Sequence, residues 1–274
     1  MNTMFVPVDF SPASRTASIY AASLAKATGS RLVLFHAYML PTPISDVPYV
    51  MVSVDDLQSE NEKMIRKEAE VLHKNFEVEV TCQVQIGMPS DEIANNAEDQ
   101  QCDLIVIGMR GAGGIDKLIG STTASVVRKA KTPVLVVPHD SVFAPVKNIV
   151  YASDLSYNFS SQLLTPLHTI ARLFESTVHV LHVQKAETEQ PNGKEAAAKA
   201  AISTLLGAVT HSFTTVQDQS VIHGIKTYID QHQAQLLVMV AHRHNFFDRL
   251  FSRISTTEMA YQTSIPLLVL QDKA

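Results

Sequence analysis

The sequence predicts an α/β protein of two tandem domains, residues 1–140 and 146–274, each a five-stranded parallel sheet with helices on both faces. Three observations carry that expectation. Short unbroken apolar runs, such as Leu104-Ile-Val-Ile107 and Val134-Leu-Val-Val137, have the length of strands buried on both faces. They alternate with segments of helical apolar spacing, an order that brings right-handed crossovers and a parallel sheet. The whole pattern then occurs twice. Val6-Pro-Val-Asp-Phe-Ser11 is echoed by Tyr151-Ala-Ser-Asp-Leu-Ser156, Leu34-Phe-His36 by Val180-Leu-His182, and Thr132-Pro-Val-Leu-Val-Val137 by Ile265-Pro-Leu-Leu-Val-Leu270. A repeat of this length reads as two similar domains and not as a solenoid.

In chain order, residues 4–8 form the first strand, which ends at Asp9. Ser11 caps a helix with Pro12 at its first position and Gly29 just past its end. Residues 31–37 are the second strand, and Pro41, Pro43 and Pro48 keep the following stretch out of regular structure. A connection of that length is more often a lid or a contact surface than an inert linker. A helix is expected over 58–76, with Met64, Ile65, Val71 and Leu72 at helical spacing, and an alternating strand over 77–86. Gly87-Met-Pro-Ser-Asp-Glu92 opens the next helix, which runs to about residue 100. Strand 104–107, a glycine-rich turn, a helix carrying Ala124, Val126, Val127 and Ala130, and strand 134–137 complete the first copy, with Thr132-Pro133 stopping the helix. The polar break 138–145 precedes the second copy. The spacing between matched positions shrinks along that copy, which places a deletion in mid-domain, with the proline-rich loop as its expected location.

The glycine-rich turn contains Gly108, Gly111, Gly113, Gly114 and Gly120, and Ser121, Thr122 and Thr123 follow as candidate N-cap hydroxyls. Glycine lets the backbone approach a bound group and adopt dihedrals that a Cβ forbids. The unpaired N–H groups of the helix start, with the hydroxyls of Ser121 and Thr122, suit a phosphate. A turn that only needs permissive residues would carry the same glycines, and both readings stand. Asp9 ends a strand at the carboxyl edge of the sheet, where open α/β folds bind ligands. Helix capping is its competing role, although Ser11 already offers a cap.

Gly108-x-x-Gly111, a spacer, then Gly120-Ser-Thr122 ahead of a helix and Thr132-Pro-Val-Leu-Val-Val137 resembles the nucleotide-binding loop of the universal stress proteins. The spacer, residues 112–119, is one residue shorter than in the family's ATP-binding members. The resemblance covers nearly the whole chain. It implies a tandem member with two Rossmann-like, adenine nucleotide alpha hydrolase-like domains and a stress-response regulatory role. It also implies ATP or AMP as ligand, with Mg²⁺ alongside the phosphates. By position, Asp9 would meet the adenosine end, Val8 and Ala37 would wall the base, and Gly108, Gly111, Gly120, Ser121 and Thr122 would hold the phosphates. Val8 and Ala37 read equally well as ordinary core. The resemblance further implies antiparallel pairing of strands 134–137 and 267–270 between the two halves, with a homodimer as another outlet for such pairing.

The second copy keeps the scaffold and has no glycine between Val240 and Ile254. Side chains would fill the volume of the phosphates, so this copy is expected to be degenerate and to serve as a surface for a protein partner. Asp154 reads there as structural. The competing reading of the whole chain is a partner-binding scaffold that holds no nucleotide.

Other chemistry is excluded by what is missing. A P-loop would need Gly-x-x-x-x-Gly-Lys-Ser/Thr, which does not occur. The pyrophosphatase loop of the same fold group would follow strand one, where the chain reads Asp9-Phe-Ser-Pro-Ala13 without glycine. Arg110 and Lys117 are not spaced to reach a γ-phosphate, so no catalytic residue is assigned and ATP turnover is expected to be slow at most. His242 and His244 with Asp248, and His179, His182 and His223 elsewhere in that half, make an incomplete ligand set, and no metal site is expected. A net charge of −5 argues against nucleic-acid or anionic-membrane binding. The chain shows no leader pattern and no apolar run of membrane length, so a soluble cytoplasmic protein is expected. Cys82 and Cys102 are expected to be buried free thiols.

Overall fold

The apolar runs of the first copy are strands β1 (Thr3–Pro7), β2 (Arg31–Tyr38), β3 (Val80–Ile86) and β4 (Leu104–Gly108). They are parallel and ordered β3-β2-β1-β4, with Phe5 opposite both Val33 and Ile105. Every residue of β1 and β4 is buried, which is why these strands read as unbroken apolar runs. The computed structural model describes residues 1–40, 53–109, 120–155, 162–184, 194–241 and 265–272. It divides into two compact units, Met1–Thr132 and Pro133–Ala274.

Helix α1 (Pro12–Thr28) begins as its sequence dictates: the Ser11 hydroxyl accepts the Ser14 N–H, and Pro12 fills the first position. It ends at Gly29, whose φ of 69° is the left-handed conformation that glycine adopts without strain. Ala17, Ala21 and Ala25 are fully buried, so this helix lies close on the sheet through small side chains. Helix α2 (Val54–Phe76) starts earlier than its apolar spacing suggests. Ser53 caps it, and Asp55 and Asp56 in its first turn complement the helix dipole. It closes on Glu77 at φ 60°, and that left-handed residue delays β3 to Val80. Helices α3 (Pro89–Asp99) and α4 (Ser121–Lys129) complete this half.

Strand β5 (Val134–Val137) groups with the second unit. There, β6 (Asn148–Ala152), β7 (Thr177–Gln184), β8 (His211–Gln217), β9 (Leu236–Ala241) and β10 (Leu267–Gln271) form a parallel sheet ordered β10-β9-β6-β7-β8. β5 runs antiparallel to β10, with Val136 opposite Leu267 and Val134 opposite Val269, the pairing expected for these two strands. Helices α5 (Thr165–Phe174), α6 (Lys194–Leu206) and α7 (Val221–His232) cover the sheet. The mid-domain shortening is not confined to the proline-rich loop, since α6 has 13 residues where α2 has 23.

One thiol departs from expectation. Cys102 is buried, whereas Cys82 is exposed, because β3 is the outermost strand of its sheet and none of its seven residues is buried. Burial pushes the Cys102 thiol up to about 11, so it is protonated and unreactive at neutral pH. No described helix is long and apolar enough to cross a membrane.

Candidate functional site

The carboxyl ends of β1, β2 and β4 and the start of α4 meet at one edge of the first unit. β1 runs out at Val8, which is 4% exposed and donates its N–H to Phe35 O at 2.8 Å. Val8 O faces His36 Nδ1 at 2.7 Å, and the His36 ring lies between Phe10 and Tyr38, with centroids 4.7 and 5.9 Å away. Asp9 stands exposed at the edge. Its Oδ1 accepts the Ser11 N–H at 3.1 Å, and its own N–H meets Ser14 Oγ at 3.4 Å. The cap of α1 is Ser11, so the carboxylate of Asp9 shapes the turn before the helix and does not terminate it. Phe10, at φ 61°, carries the reversal. Ala37 sits half-buried at the end of β2.

Two hydrogen bonds close the stem of the glycine-rich loop. Gly120 N–H donates to Met109 O at 2.7 Å, and the buried Thr123 hydroxyl donates to Gly108 O at 2.8 Å. Thr123 therefore does not cap α4. Gly120 is the N-cap and makes no side-chain cap bond, while Ser121 and Thr122 occupy the first two helical positions and are exposed. Ala124 is the first residue whose N–H returns into the helix, to Gly120 O at 2.9 Å. The N–H groups of Ser121, Thr122 and Thr123 precede it and have no intrahelical acceptor. Gly108 is needed for packing: a Cβ there would lie 2.7 Å from Ala13 O, so its absence lets α1 rest against the end of β4. Gly120, at φ −61° and ψ 151°, has dihedrals open to any residue, so backbone conformation does not demand glycine there.

The structure thus brings Val8, Asp9, Ala37, Gly108, Gly120, Ser121 and Thr122 to the carboxyl edges and helix start of one unit. Gly111, Arg110 and Lys117 lie outside the described residues, as do His242, His244 and Asp248. Among the described residues no group of three or more His, Cys, Asp or Glu is arranged to hold a metal. Sequence reasoning missed His36, whose signal was its recurrence at His182. His182 Nδ1 faces Ser153 O at 3.0 Å just as His36 faces Val8 O, and Leu155 repeats the positive φ of Phe10 at 54°. Asp154 is exposed like Asp9, so the second unit retains the strand-end geometry of the first.

Glu68 on α2 lies near this edge. Burial pushes its carboxyl up and the charge of Asp9 adds to that, while a Ser18 hydrogen bond and Arg15 oppose it.

A parallel sheet with a helix starting at the carboxyl end of one of its strands defines a Rossmann-like α/β protein. The model of the universal stress protein family matches residues 1–138, and the chain belongs to that family. A universal stress protein of Thermus aquaticus is 30% identical over 136 residues, 49% of this chain and 97% of that protein. One from Methanocaldococcus jannaschii is 29% identical over 141 residues, 48% of this chain and 79% of its own length. A universal stress protein structure from Archaeoglobus fulgidus aligns with a TM-score of 0.72 at 20% identity, covering 99% of this chain and 98% of its own, a likeness of fold.

Proposed function

We propose that the first unit holds an adenine nucleotide, ATP or AMP, and that the protein is a nucleotide-responsive regulatory module of the stress-response type. The observation that carries this reading is the clamped loop stem. Gly108 O–Thr123 Oγ and Met109 O–Gly120 N fix the start of α4 at the strand ends, with three N–H groups unclaimed by the helix. A glycine at position 120 that its backbone does not require leaves the approach to those groups clear of a side chain. In this reading Asp9 meets the adenosine, Val8 and Ala37 line the base, and Gly108, Gly111, Gly120, Ser121 and Thr122 surround the phosphates.

The donor set also fits Mg²⁺ held with the phosphates, through the exposed hydroxyls of Ser121 and Thr122. Such an ion would neutralise phosphate charge. Ser121 and Thr122 would then bind ground state and transition state alike, which gives affinity without rate. In this reading the module senses nucleotide, and any ATP hydrolysis is very slow at most. The domain division at 140/146, the degeneracy of the second copy and its use as a partner surface belong to the same proposal. Nucleotide analysis of the full chain purified without added ligand tests it. Co-purifying ATP or AMP supports the module, whereas nucleotide-free protein that also fails to bind added ATP leaves the scaffold reading.

A further inference from the structure

The second unit carries an Asp–His pair that the nucleotide site does not use. Asp218 follows β8, anchored by its N–H to Gln184 O at 3.1 Å, and His223 lies in the first turn of α7. His223 Nδ1 is 2.6 Å from Asp218 Oδ2, while Asp218 Oδ1 accepts the Ser220 N–H at 2.9 Å. The carboxylate side chain is 22% exposed and the imidazole 70%. Two local features build the pair. Ser220 caps α7 by accepting the His223 N–H at 3.4 Å. Gly224 has no Cβ, and one placed there would stand 2.8 Å from Val183 Cγ1 and 3.2 Å from Asp218 Cβ, so glycine lets the helix start close onto the strand ends. The first copy has Gly87 and Glu92 at the matching positions, and a Cβ on Gly87 would meet Glu92 Oε1 at 2.5 Å. With glycine and glutamate at these positions the first copy does not carry the same pair.

The arrangement narrows the chemistry. The carboxylate accepts from Nδ1–H, which leaves the Nε2 lone pair pointing away from Asp218 and makes it more electron-rich. Among the described residues no hydroxyl is bonded to the ring of His223; Ser220 Oγ faces its backbone N–H. No cluster of three metal ligands lies among the described residues. The nucleophile is therefore the imidazole itself.

We propose that His223 is a phosphoryl-acceptor site for small acyl phosphates, with Asp218 as its positioning residue. Nε2 attacks phosphorus. The N–P bond forms as the bond from phosphorus to the acyl oxygen breaks, and the carboxylate leaves with the electron pair. The proton stays on Nδ1, so the ring becomes a phosphorylated imidazolium whose positive charge faces Asp218. The helix start beside it favours the negative phosphoryl group.

The test incubates the full chain with acetyl phosphate and follows each histidine by peptide mass mapping under non-acidic conditions, with ³¹P NMR. His73 is the internal control. It is exposed, and its Nδ1 faces the neutral backbone carbonyl of Val78 at 2.8 Å instead of a carboxylate. His223 is expected to be labelled about tenfold faster than His73, the factor that one charge-assisted hydrogen bond to the developing cation supplies. Asp218→Asn should lower labelling of His223 to the His73 level with the melting temperature unchanged, and His223→Gln should abolish it. Imidazole ¹⁵N NMR should show the Nδ1–H tautomer of His223 in the native chain and its loss in Asp218→Ala. Equal labelling of the two histidines in the native chain overturns the proposal, as does native-rate labelling of Asp218→Asn.

Discussion

Replacing Thr123 with valine would open the loop stem while keeping the shape of the side chain. The threonine is 3% exposed, and its hydroxyl donates to Gly108 O at 2.8 Å. Valine removes a hydrogen bond worth about 1 kcal/mol net and leaves a shielded carbonyl poorly paired, so the total loss is about 1–3 kcal/mol. Urea denaturation should register it as a lower midpoint at unchanged slope, the signature of altered stability without altered compactness. The neighbouring Thr122→Val, at an exposed position, is the control and should stay within about 0.5 kcal/mol of the native chain. The same bond fixes the start of α4 at the end of β4, so in the nucleotide reading ATP affinity should fall by roughly tenfold against the native chain, the equivalent of about 1.4 kcal/mol. If Thr123→Val and Thr122→Val unfold alike, the bond between α4 and β4 does not hold the start of the helix.

Two further changes examine the same edge. Gly108→Ala places a Cβ 2.7 Å from the backbone oxygen of Ala13, which cannot rotate away, and should cost about 1–3 kcal/mol, read as a melting temperature lower by roughly 2–10 °C. Glu68→Gln should raise stability near neutral pH. Because burial raises the folded-state pKa of Glu68, its contribution to stability is fully present below its unfolded value and is lost as pH rises through the folded value. The gain from glutamine should therefore appear above the raised value and vanish in acid, as melting curves across that range would show.

How far the fold was legible depended on how local its causes were. Ser11-Pro12 and Gly29 announced both ends of α1, because capping and the left-handed stop are set by single residues. The start of α2 was missed because Val54 to Leu57 lack the apolar spacing, and its cause, the Ser53 cap with Asp55 and Asp56, is polar. Glu77 in a left-handed conformation had no sequence signal, since glycine and asparagine are the residues that advertise it. Cys82 was misjudged because a strand's sequence does not state whether it is central or outermost. At the candidate site, the glycines and hydroxyls pointed to the edge where β4 ends and α4 begins. The roles within it depended on tertiary contacts, which gave Thr123 to Gly108 O and left Gly120 as the cap. The Asp218–His223 pair lay five residues apart in plain view, but only the Gly224 approach and the Ser220 cap reveal that the two side chains meet.

Calorimetric titration of the full chain with ATP, repeated on Gly120→Asp, tests the central claim most directly. The dihedrals of Gly120 accept any residue, so the substitution needs no change of backbone there, and it places bulk and negative charge before the N–H groups of Ser121, Thr122 and Thr123. The account predicts one ATP per native chain and affinity at least about a hundredfold weaker in the variant, the equivalent of roughly 2.7 kcal/mol. Two equivalent sites per chain, no site, or a variant that binds as tightly as the native protein would contradict it.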